Sequence, residues 1–367
     1  MKLYCEGLDL MEAVLKVVKA TSNKTTNPIL EGIKLTANSN TLTLVATDGE
    51  LAIEQTINAD VKIDGEIVLP GRLFSDFVKK ISNEQIELSL DENNRMRISY
   101  TDSEVYLQCL SAEEFPTIQQ VATDEYVEIK QSDLKDLIEK TIFSVALDNT
   151  RPILRGCLFE IENNNLVAVS LDGYRLATSK KQIVSSSGEF SVVIPGRSLN
   201  EISKLIENGE EAIKIYSQKN FVMVKVNSTK IISRILGTKT DYINYKQILP
   251  QSSSTEIIIP KAQLEDSLER VAILTRTNIN NLVNLNIRDN ILTLSAKSEI
   301  GTVTENLSVS LKGDEIKIGF DTFFIRECLR AISDEYIKIK FNGEINPCVI
   351  VPNEGENYLF LILPLKA

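Results

Sequence analysis

The 367-residue sequence contains no histidine and no tryptophan. The absence of histidine excludes Ser-His-Asp and Cys-His nucleophiles, His-ligated zinc and imidazole acid–base chemistry. The sequence also has no glycine-rich phosphate loop of the nucleotide-binding type and no Cys-x-x-Cys pair. Carboxylate, lysine or tyrosine chemistry remains available, but these absences predict a protein that is not an enzyme and holds no cofactor or metal.

Cysteine is scarce and hydrophobic runs are short. The five cysteines are odd in number and scattered, which predicts buried free thiols in a reducing compartment. The longest apolar run, Tyr358 to Leu365, has eight residues and contains Pro364, whereas a membrane-spanning helix needs about 18. The first residues, MKLYCE, lack the apolar core of a signal peptide. We therefore expect a cytoplasmic protein with no membrane partner.

Motifs of the first third of the sequence are repeated in the second third. The motif Pro-Ile-Leu-x-Gly at 28–32 recurs at 152–156, and Asp48-Gly49 recurs as Asp172-Gly173, both at an offset of 124 residues. A period this long indicates duplicated domains, because the units of a solenoid have only about 20–50 residues. It favours three domains, the last a diverged copy, which we expect at 1–121, 122–252 and 253–367.

The offset between the two copies changes by one residue further along the chain. Pro-Gly-Arg at 70–72 recurs at 195–197, an offset of 125. Matching Leu51-Ala52 with Leu176-Ala177 puts the extra residue of the second copy at or near Arg175. An insertion there would mark a place where one copy has acquired a separate task.

Each third is predicted to contain two helices and about eight strands. Apolar residues recur every three or four positions from Leu8 to Val18, as in an amphipathic helix, while residues 41–46 alternate as in a strand. The six predicted helices are 8–20, 71–81, 131–141, 196–206, 261–274 and 321–332. We predict an α+β fold in which each domain begins with a helix and packs its helices on one face of sheet.

Charge is unevenly distributed between the predicted helices and the rest of the chain. The net charge of −11 argues against contact with nucleic acid over the whole surface. The predicted helices, however, hold 13 basic and 12 acidic residues, and the remainder holds 27 and 39. These helices could simply have less acidic solvated faces, or they could form a layer that contacts a polyanion through its phosphates, independently of sequence. No aromatic strand motif indicates base stacking.

Several motifs, taken in order, resemble the bacterial sliding clamp family, the β subunit of DNA polymerase III. Besides the repeat, they are DGYRLA at 172–177, IPGR at 194–197, ILP at 248–250, IGF at 318–320 and LILPLK at 361–366. Each motif is short, but their order and spacing run essentially from one end of the chain to the other. The resemblance is therefore specific.

The resemblance implies that two copies join head to tail into a closed ring of six domains, with helices inside and sheets outside. Double-stranded DNA would thread the hole without sequence preference. The ring would bind the clamp loader and tether the DNA polymerase III catalytic subunit and other proteins that carry a clamp-binding motif. Such a clamp is a non-catalytic processivity factor of DNA replication. The DNA-facing positions implied are Lys24, Arg72, Arg197 and Lys204.

The resemblance also implies a hydrophobic pocket for partner peptides between the second and third domains. The implied pocket residues are Leu154, Leu171, Gly173, Tyr174, Arg175, Leu176, Ile243, Gln247, Ile248, Ile279, Phe324, Ile345, Pro347, Leu361, Leu363, Pro364, Leu365 and Lys366. An apolar pocket with a few polar groups at its edge suits an extended peptide with aliphatic or aromatic anchors. A lone leucine such as Leu154 could equally belong to the core.

Three pocket positions depart from the common family pattern. Ile243 stands where many members have proline, Leu171 replaces a small polar residue, and Phe324 replaces a frequent tyrosine. These changes make the implied pocket more apolar.

For the dimer interface, the resemblance places the edge strand with Val105 and Leu107 against the partner helix that bears Ile273 and Leu274. An edge strand offers unpaired backbone donors and acceptors, so a sheet could continue across this junction.

Two other functions remain open at this point. An enzyme built from duplicated α+β domains could use carboxylates in a cleft between domains, and would show convergent polar side chains with perturbed pKa values. A structural scaffold would show neither such a cleft nor a hole lined with lysine and arginine.

Overall fold

The computed structural model describes residues 1–22, 25–276 and 280–365. Three repeats of one unit follow each other along the chain.

The first repeat contains β1 (Lys2–Glu6), α1 (Gly7–Val17), β2 (Gly32–Asn38), β3 (Thr41–Thr47), β4 (Leu51–Asn58), β5 (Asp60–Ile63), β6 (Gly65–Pro70), α2 (Gly71–Val78), β7 (Gln85–Leu90), β8 (Arg95–Tyr100) and β9 (Ser103–Gln108). The second contains β10 (Tyr126–Lys130), α3 (Gln131–Glu139), β11 (Gly156–Glu162), β12 (Asn165–Leu171), β13 (Arg175–Gln182), β14 (Ser185–Ser187), β15 (Ser191–Pro195), α4 (Gly196–Leu205), β16 (Ala212–Gln218), β17 (Phe221–Val226) and β18 (Thr229–Arg234). The third contains β19 (Thr255–Pro260), α5 (Lys261–Thr275), β20 (Leu282–Arg288), β21 (Ile291–Ser298), β22 (Gly301–Ser308), β23 (Ser310–Gly313), β24 (Ile316–Asp321), α6 (Thr322–Arg330), β25 (Tyr336–Phe341), β26 (Cys348–Pro352) and β27 (Tyr358–Ile362).

The α+β prediction is confirmed, and all six predicted helices are present to within a few residues at their ends. Each repeat has nine strands among the described residues, where about eight were predicted. The prediction that each unit begins with a helix is wrong, because β1, β10 and β19 precede the first helix of their repeats. These strands have only five or six residues, too few for their alternation to stand out beside the helical pattern that follows.

Two nine-stranded antiparallel sheets join neighbouring repeats. The first has the order β14-β10-β16-β17-β18-β4-β3-β2-β6, and the second β15-β11-β12-β13-β27-β26-β25-β19-β23. At the first junction β4 pairs with β18, with Ile53 opposite Ile231. At the second junction β13 pairs with β27, with Ala177 opposite Phe360. Main-chain hydrogen bonds therefore run without interruption from one repeat to the next.

The two remaining sheets each end in a strand whose counterparts form the internal junctions. The five-stranded sheet of the first repeat ends at β9, and the four-stranded sheet of the third repeat ends at β22. In the order of the repeat, β9 corresponds to β18 and β27, and β22 corresponds to β4 and β13. Each end of the described chain thus presents one half of the same kind of junction.

The turns that begin at Asp48 and Asp172 have the same length, so the insertion predicted at Arg175 is wrong. The Asp48 carboxylate accepts hydrogen bonds from the backbone N–H groups of Glu50 and Leu51. The Asp172 carboxylate accepts the equivalent bonds from Tyr174 and Arg175. Arg175 therefore occupies the place of Leu51, and the Leu-Ala match in the sequence is a coincidence.

The extra residue of the second repeat is Val184. The offset is still 124 at Ile183, whose N–H donates to Asn164 as that of Ala59 donates to Asn40. It has become 125 at Ser185, which pairs with Glu128 as Asp60 pairs with Tyr4. Val184 is exposed where β13 turns into β14, so the insertion is absorbed at the surface and leaves the junction unchanged.

Helix pairs cover one face of the sheets. One apolar core, which includes Leu10 and Leu134, joins the first two repeats, and a second core, which includes Leu264 and Leu329, lies in the third. The second helix of each repeat packs against the first. Because the same face of each sheet is covered, the opposite face is left for loops and solvent.

All five cysteines are buried and unpaired, as the sequence predicted. Burial raises the pKa of the Cys109 thiol to about 11 and that of the Cys157 thiol to about 12, so both are poor nucleophiles at neutral pH. None of the helices in the described ranges combines the length and apolarity needed to cross a bilayer. Within the same ranges, no three Cys, Asp or Glu side chains cluster as a metal ion would require.

Candidate functional site

The outer face of the second junction carries a cluster of buried leucines. Leu154, Leu171, Leu176 and Leu361 belong to one apolar cluster, and Ile243 packs against it. On β13, Leu176 points to this face while its neighbour Ala177 points to the core under the helices. The structure thus brings together five residues predicted for the pocket. The four leucines are already packed, so they form a floor rather than an open lining.

Exposed apolar side chains border this floor. The Tyr174 side chain is 62% exposed and stacks on Phe324, with 6.1 Å between ring centroids. Leu363 and Ile248 are also exposed. Exposed aromatic and aliphatic groups beside an apolar floor are typical of a binding surface rather than of a core.

The turn before β13 sets the direction of Tyr174. Gly173 has φ of +97°, in the left-handed region that favours glycine. The Asp172 carboxylate accepts the backbone N–H of Tyr174 at 2.9 Å and that of Arg175 at 3.0 Å. These bonds close the turn and direct the Tyr174 ring toward solvent.

The residues after β27 lie beside this turn. Leu363 donates its backbone N–H to the Tyr174 carbonyl at 2.9 Å, and Leu365 donates to the Gly319 carbonyl at 2.9 Å. Leu363, Pro364 and Leu365 therefore connect the second repeat to β24 of the third. These contacts put the three residues at the junction, and their role in a pocket stays a prediction.

Arg175 is buried on the helix side of the sheet. Its Nε donates to Asp172 Oδ2 at 2.9 Å, one Nη donates to Glu327 Oε2 at 2.6 Å, and the other donates to the Phe143 carbonyl at 2.5 Å. Its guanidinium also lies 4.7 Å from the centroid of the Phe324 ring. Arg175 thus holds the turn of the second repeat against α6 of the third. It supports Tyr174 and Phe324 from the face of the sheet that is opposite to Leu176.

Sequence reasoning did not select Asp172, Glu327 or Phe143 as site residues. Asp172 belongs to the Asp-Gly pair that recurs in the first repeat, which was a signal for it. No local pattern points to Glu327, because it lies 152 positions from Arg175.

The remaining predicted pocket residues are dispersed. Ile345 is exposed in the turn between β25 and β26, and Gln247 is exposed near Ile248. Pro347 lines a neighbouring cavity of about 190 Å³ together with Val349 and Leu359. Ile279 and Lys366 lie outside the described residues.

The first junction has apolar residues at the equivalent positions, but a different segment of the chain lies over them. Ala52 lies opposite Ile232 there, as Leu176 lies opposite Leu361 at the second junction. Ile118, from the segment between the first two repeats, packs on this pair and lines a cavity of about 190 Å³. The chain's own linker therefore covers the first junction at this place.

The predicted DNA-facing cations lie on the helix layer or outside the described residues. Arg72 and Arg197 are the second residues of α2 and α4 and are both exposed. Arg197 contacts the Asp48 carboxylate and the Lys19 carbonyl across the first junction. Lys204 donates to Glu201 at 2.8 Å, and Lys24 lies outside the described residues.

The four predicted dimer residues lie near the sheet edges formed by β9 and β22. Val105 and Leu107 are on β9, where Leu107 faces the core and is buried. Leu274 on α5 lies close to the start of β22, near Gly301. Ile273 beside it is 68% exposed.

Comparison with known proteins gives consistent matches along the whole chain. Family models of the N-terminal, central and C-terminal domains of the DNA polymerase III beta subunit match residues 1–119, 128–240 and 246–366. The Beta sliding clamp of Staphylococcus aureus is 32% identical over 359 residues, which cover 95% of each chain. The DNA polymerase sliding clamp structure from Bacillus subtilis has a TM-score of 0.96 and 31% identity, and covers 100% of this chain and 99% of that chain. The DNA polymerase III beta subunit structure from Thermotoga maritima has a TM-score of 0.92 and 27% identity, with the same coverage.

We expect Arg175→Ala to lower the free energy of unfolding by about 3 kcal/mol. The change leaves the carboxylates of Asp172 and Glu327 and the carbonyl of Phe143 without their buried donor. Urea unfolding of the whole chain, followed by near-UV circular dichroism, measures this change. The matched control is Arg288→Ala, which removes an arginine that is 68% exposed, and should cost less than about 1 kcal/mol. Equal stability of the two variants would contradict a supporting role for Arg175.

Proposed function

Because this chain belongs to the DNA polymerase III beta subunit family, the beta sliding clamps, we propose that two copies close into a ring around duplex DNA. The chain is a sliding clamp of DNA replication rather than an enzyme. The observation that carries the ring proposal is the pair of matching free edges, β9 and β22, at opposite ends of the chain. A head-to-tail dimer would turn both into junctions of the kind already present inside each copy.

The internal junctions supply a register for the ring interface. Val105 corresponds to Ile231 and Phe360, and Val303 corresponds to Ile53 and Ala177. We therefore propose that Val105 of one copy lies opposite Val303 of the other. This gives a register to the sheet that was expected to continue across the junction, with α5 as an additional contact.

The helices next to this interface expose apolar residues that match each other. Ile273 corresponds in the repeat to Lys19, which reaches α4 across the first junction through an ion pair with Glu201 at 3.5 Å. In a ring Ile273 would reach α2 of the other copy, where Leu73 is 56% exposed. Ring closure would bury both side chains, and apolar burial is the usual driving force for association.

Charge on the helix layer suits a surface along which DNA can slide. Arg197 and Lys204 are exposed and already paired with Asp48 and Glu201. Each cation keeps about half of its side-chain surface exposed beside its carboxylate partner, so a passing phosphate can contact it. We propose that these residues, with Lys24 and Arg72, make weak and sequence-independent contacts, and that enclosure by the ring supplies retention.

The exposed apolar border of the second junction is the proposed docking site for partner peptides. Tyr174 and Leu363 lie at the ends of the two strands that carry the leucine floor, Phe324 stacks on Tyr174, and Ile248 precedes Leu249, which packs on the floor. Their exposed and half-buried side chains would accept the aliphatic or aromatic anchors of an extended peptide. The partners would be the DNA polymerase III catalytic subunit, the clamp loader and other proteins with a clamp-binding motif. Ile243, Leu171 and Phe324, which depart from the common family pattern, make this surface apolar.

Localisation and domain limits complete the proposal. We propose that the protein works in the cytoplasm, on the chromosome. The limits at 121 and 252 fall in the segments between β9 and β10 and between β18 and β19, which supports domains at 1–121, 122–252 and 253–367.

The protein should stay on a closed circular duplex and leave it once the circle is cut. Gel filtration of the loaded DNA before and after restriction cleavage measures retention. Linear DNA with both ends blocked by bound streptavidin is the control and should retain the protein. Equal retention on circular and free-ended DNA would contradict the ring.

Tyr174→Ala should weaken binding of a short partner peptide about tenfold, because the variant loses an exposed aromatic contact of about 1.4 kcal/mol. Fluorescence polarisation with a labelled peptide from the polymerase catalytic subunit measures this change. Tyr336→Ala removes another exposed tyrosine, on β25, and should bind like the original protein. Unchanged affinity of the Tyr174 variant would count against this surface.

Ile273→Glu should raise the dimer dissociation constant at least about 100-fold, because a charge would be buried without a partner. Sedimentation equilibrium of the 41.0 kDa chain measures the dimer fraction. Leu147→Glu introduces the same charge at an exposed loop position of the second repeat and should leave the dimer intact. A dimer that tolerates both changes would contradict the proposed closing contact.

A further inference from the structure

A cavity of about 250 Å³ lies between α5 and α6 in the third repeat. Its polar lining consists of Thr275, Arg276, Asn281, Thr322, Arg326 and Arg330. Phe323 completes one wall. Three guanidinium groups around one small cavity form an arrangement that suits an oxyanion, since arginine presents fixed donors to carboxylate or phosphate oxygens.

Two buried polar atoms at this cavity have no partner among the described residues. They are the hydroxyl oxygen of Thr275, a residue that is 1% exposed, and Nε of Arg326, whose side chain is 11% exposed. A buried polar group without a hydrogen bond costs about 1–3 kcal/mol. Both residues line the cavity, and their unpartnered atoms lie just beneath its surface.

The first repeat satisfies the equivalent hydroxyl internally. Thr21 lies fourteen residues after the first residue of α1, as Thr275 does after that of α5. The Thr21 hydroxyl donates to the Val18 carbonyl at 2.7 Å. The unpartnered hydroxyl is therefore a feature of the third repeat and not of the shared fold.

Positive charge exceeds negative charge around the cavity. Arg326 has one recorded acidic partner, Glu269, at 3.4 Å. Arg276 and Arg330 have no ion pair with any described residue. Asp321 is engaged at the start of α6, where its carboxylate accepts the N–H of Phe323 at 2.8 Å. An anion would relieve the repulsion among the three arginines.

The repeat alignment places this cavity on the helix layer. Arg330 is the ninth residue of α6, as Lys204 is of α4. At the second helix position Phe323 replaces Arg72 and Arg197, and at the fifth Arg326 replaces Ser75 and Asn200. In the third repeat the basic residue therefore lies about one helical turn further along the second helix, where it lines the cavity.

We propose that this cavity seats one phosphate group of the DNA backbone. This inference rests on the proposed function, because it requires the helix layer to face DNA, and it adds a fixed contact to the mobile ones. Thr275 and Arg326 bind the phosphate oxygens from inside, and Arg276 and Arg330 hold it at the mouth. Each copy then contacts the duplex most firmly through its third repeat, which slows sliding and sets the tilt of the DNA.

The test compares the double variant Arg276→Gln/Arg330→Gln and the neutral variant Thr275→Val with a matched control. The control, Arg288→Gln/Lys312→Gln, removes two exposed charges from strands β20 and β23 of the same repeat. Fluorescence anisotropy measures affinity for a short linear duplex between about 50 and about 300 mM salt. Calorimetry with inorganic phosphate and single-molecule diffusion on long DNA complete the set.

We expect the double variant to reduce the slope of log affinity against log salt by about one per seated phosphate. Thr275→Val should weaken duplex binding without a change in charge, both variants should diffuse faster, and the control should change neither slope nor diffusion rate. These results with normal retention on circles would support the seat. A reduced slope without retention on circles would support it while contradicting the ring.

Three results would overturn the inference while leaving the ring intact. The first is a slope and diffusion rate equal to those of the original protein on DNA that is retained normally. The second is loss of inorganic phosphate binding with no change on DNA, which would make the cavity a site for small anions. The third is loss of binding to a short acidic peptide, measured by the same calorimetry, with no change on DNA, which would assign the cavity to a protein partner.

Discussion

Main-chain pairing between repeats is the interaction on which the rest of this molecule depends. β4 pairs with β18 and β13 pairs with β27, so each repeat extends the sheet of its neighbour. Backbone donors and acceptors at a strand edge need partners. These pairings meet that need and fix the orientation of each repeat, which keeps the helix pairs on one face and the linkers on the other. The edge strands β9 and β22, whose counterparts in the other repeats pair at the internal junctions, are the reason to expect a second copy.

Once the backbone pairing is fixed, side chains decide what each junction does. The first junction has Leu51 in its core and Ile118 over its outer face. The second has Arg175 at the position of Leu51, held by Asp172 and Glu327. The arginine replaces an apolar contact by buried ion pairs and supports Tyr174 and Phe324 at the surface. One junction is therefore closed by the chain itself, and the other presents an apolar border to partners.

The helix layer shows the same divergence in its electrostatics. Arg197 and Lys204 keep about half of their side-chain surface exposed beside their carboxylate partners, where a phosphate can contact them. In the third repeat the basic groups converge instead on a cavity with a buried, unpartnered hydroxyl at Thr275. Weak contacts permit movement along DNA, whereas a seated contact resists it. The balance between the two would set how fast the ring slides.

The sequence by itself determined the α+β class, the repeat and the positions of all six helices, because these depend on periodicities within a few turns of chain. Family motifs also led to the leucines of the second junction. The leading strands, Val184 as the inserted residue and the partners of Arg175 were not predictable. They depend on hydrogen bonds between residues far apart in the chain, and Glu327 lies 152 positions from Arg175. The tertiary structure alone decided which strand edges are paired and which buried polar atoms lack a partner, because both depend on packing across repeats.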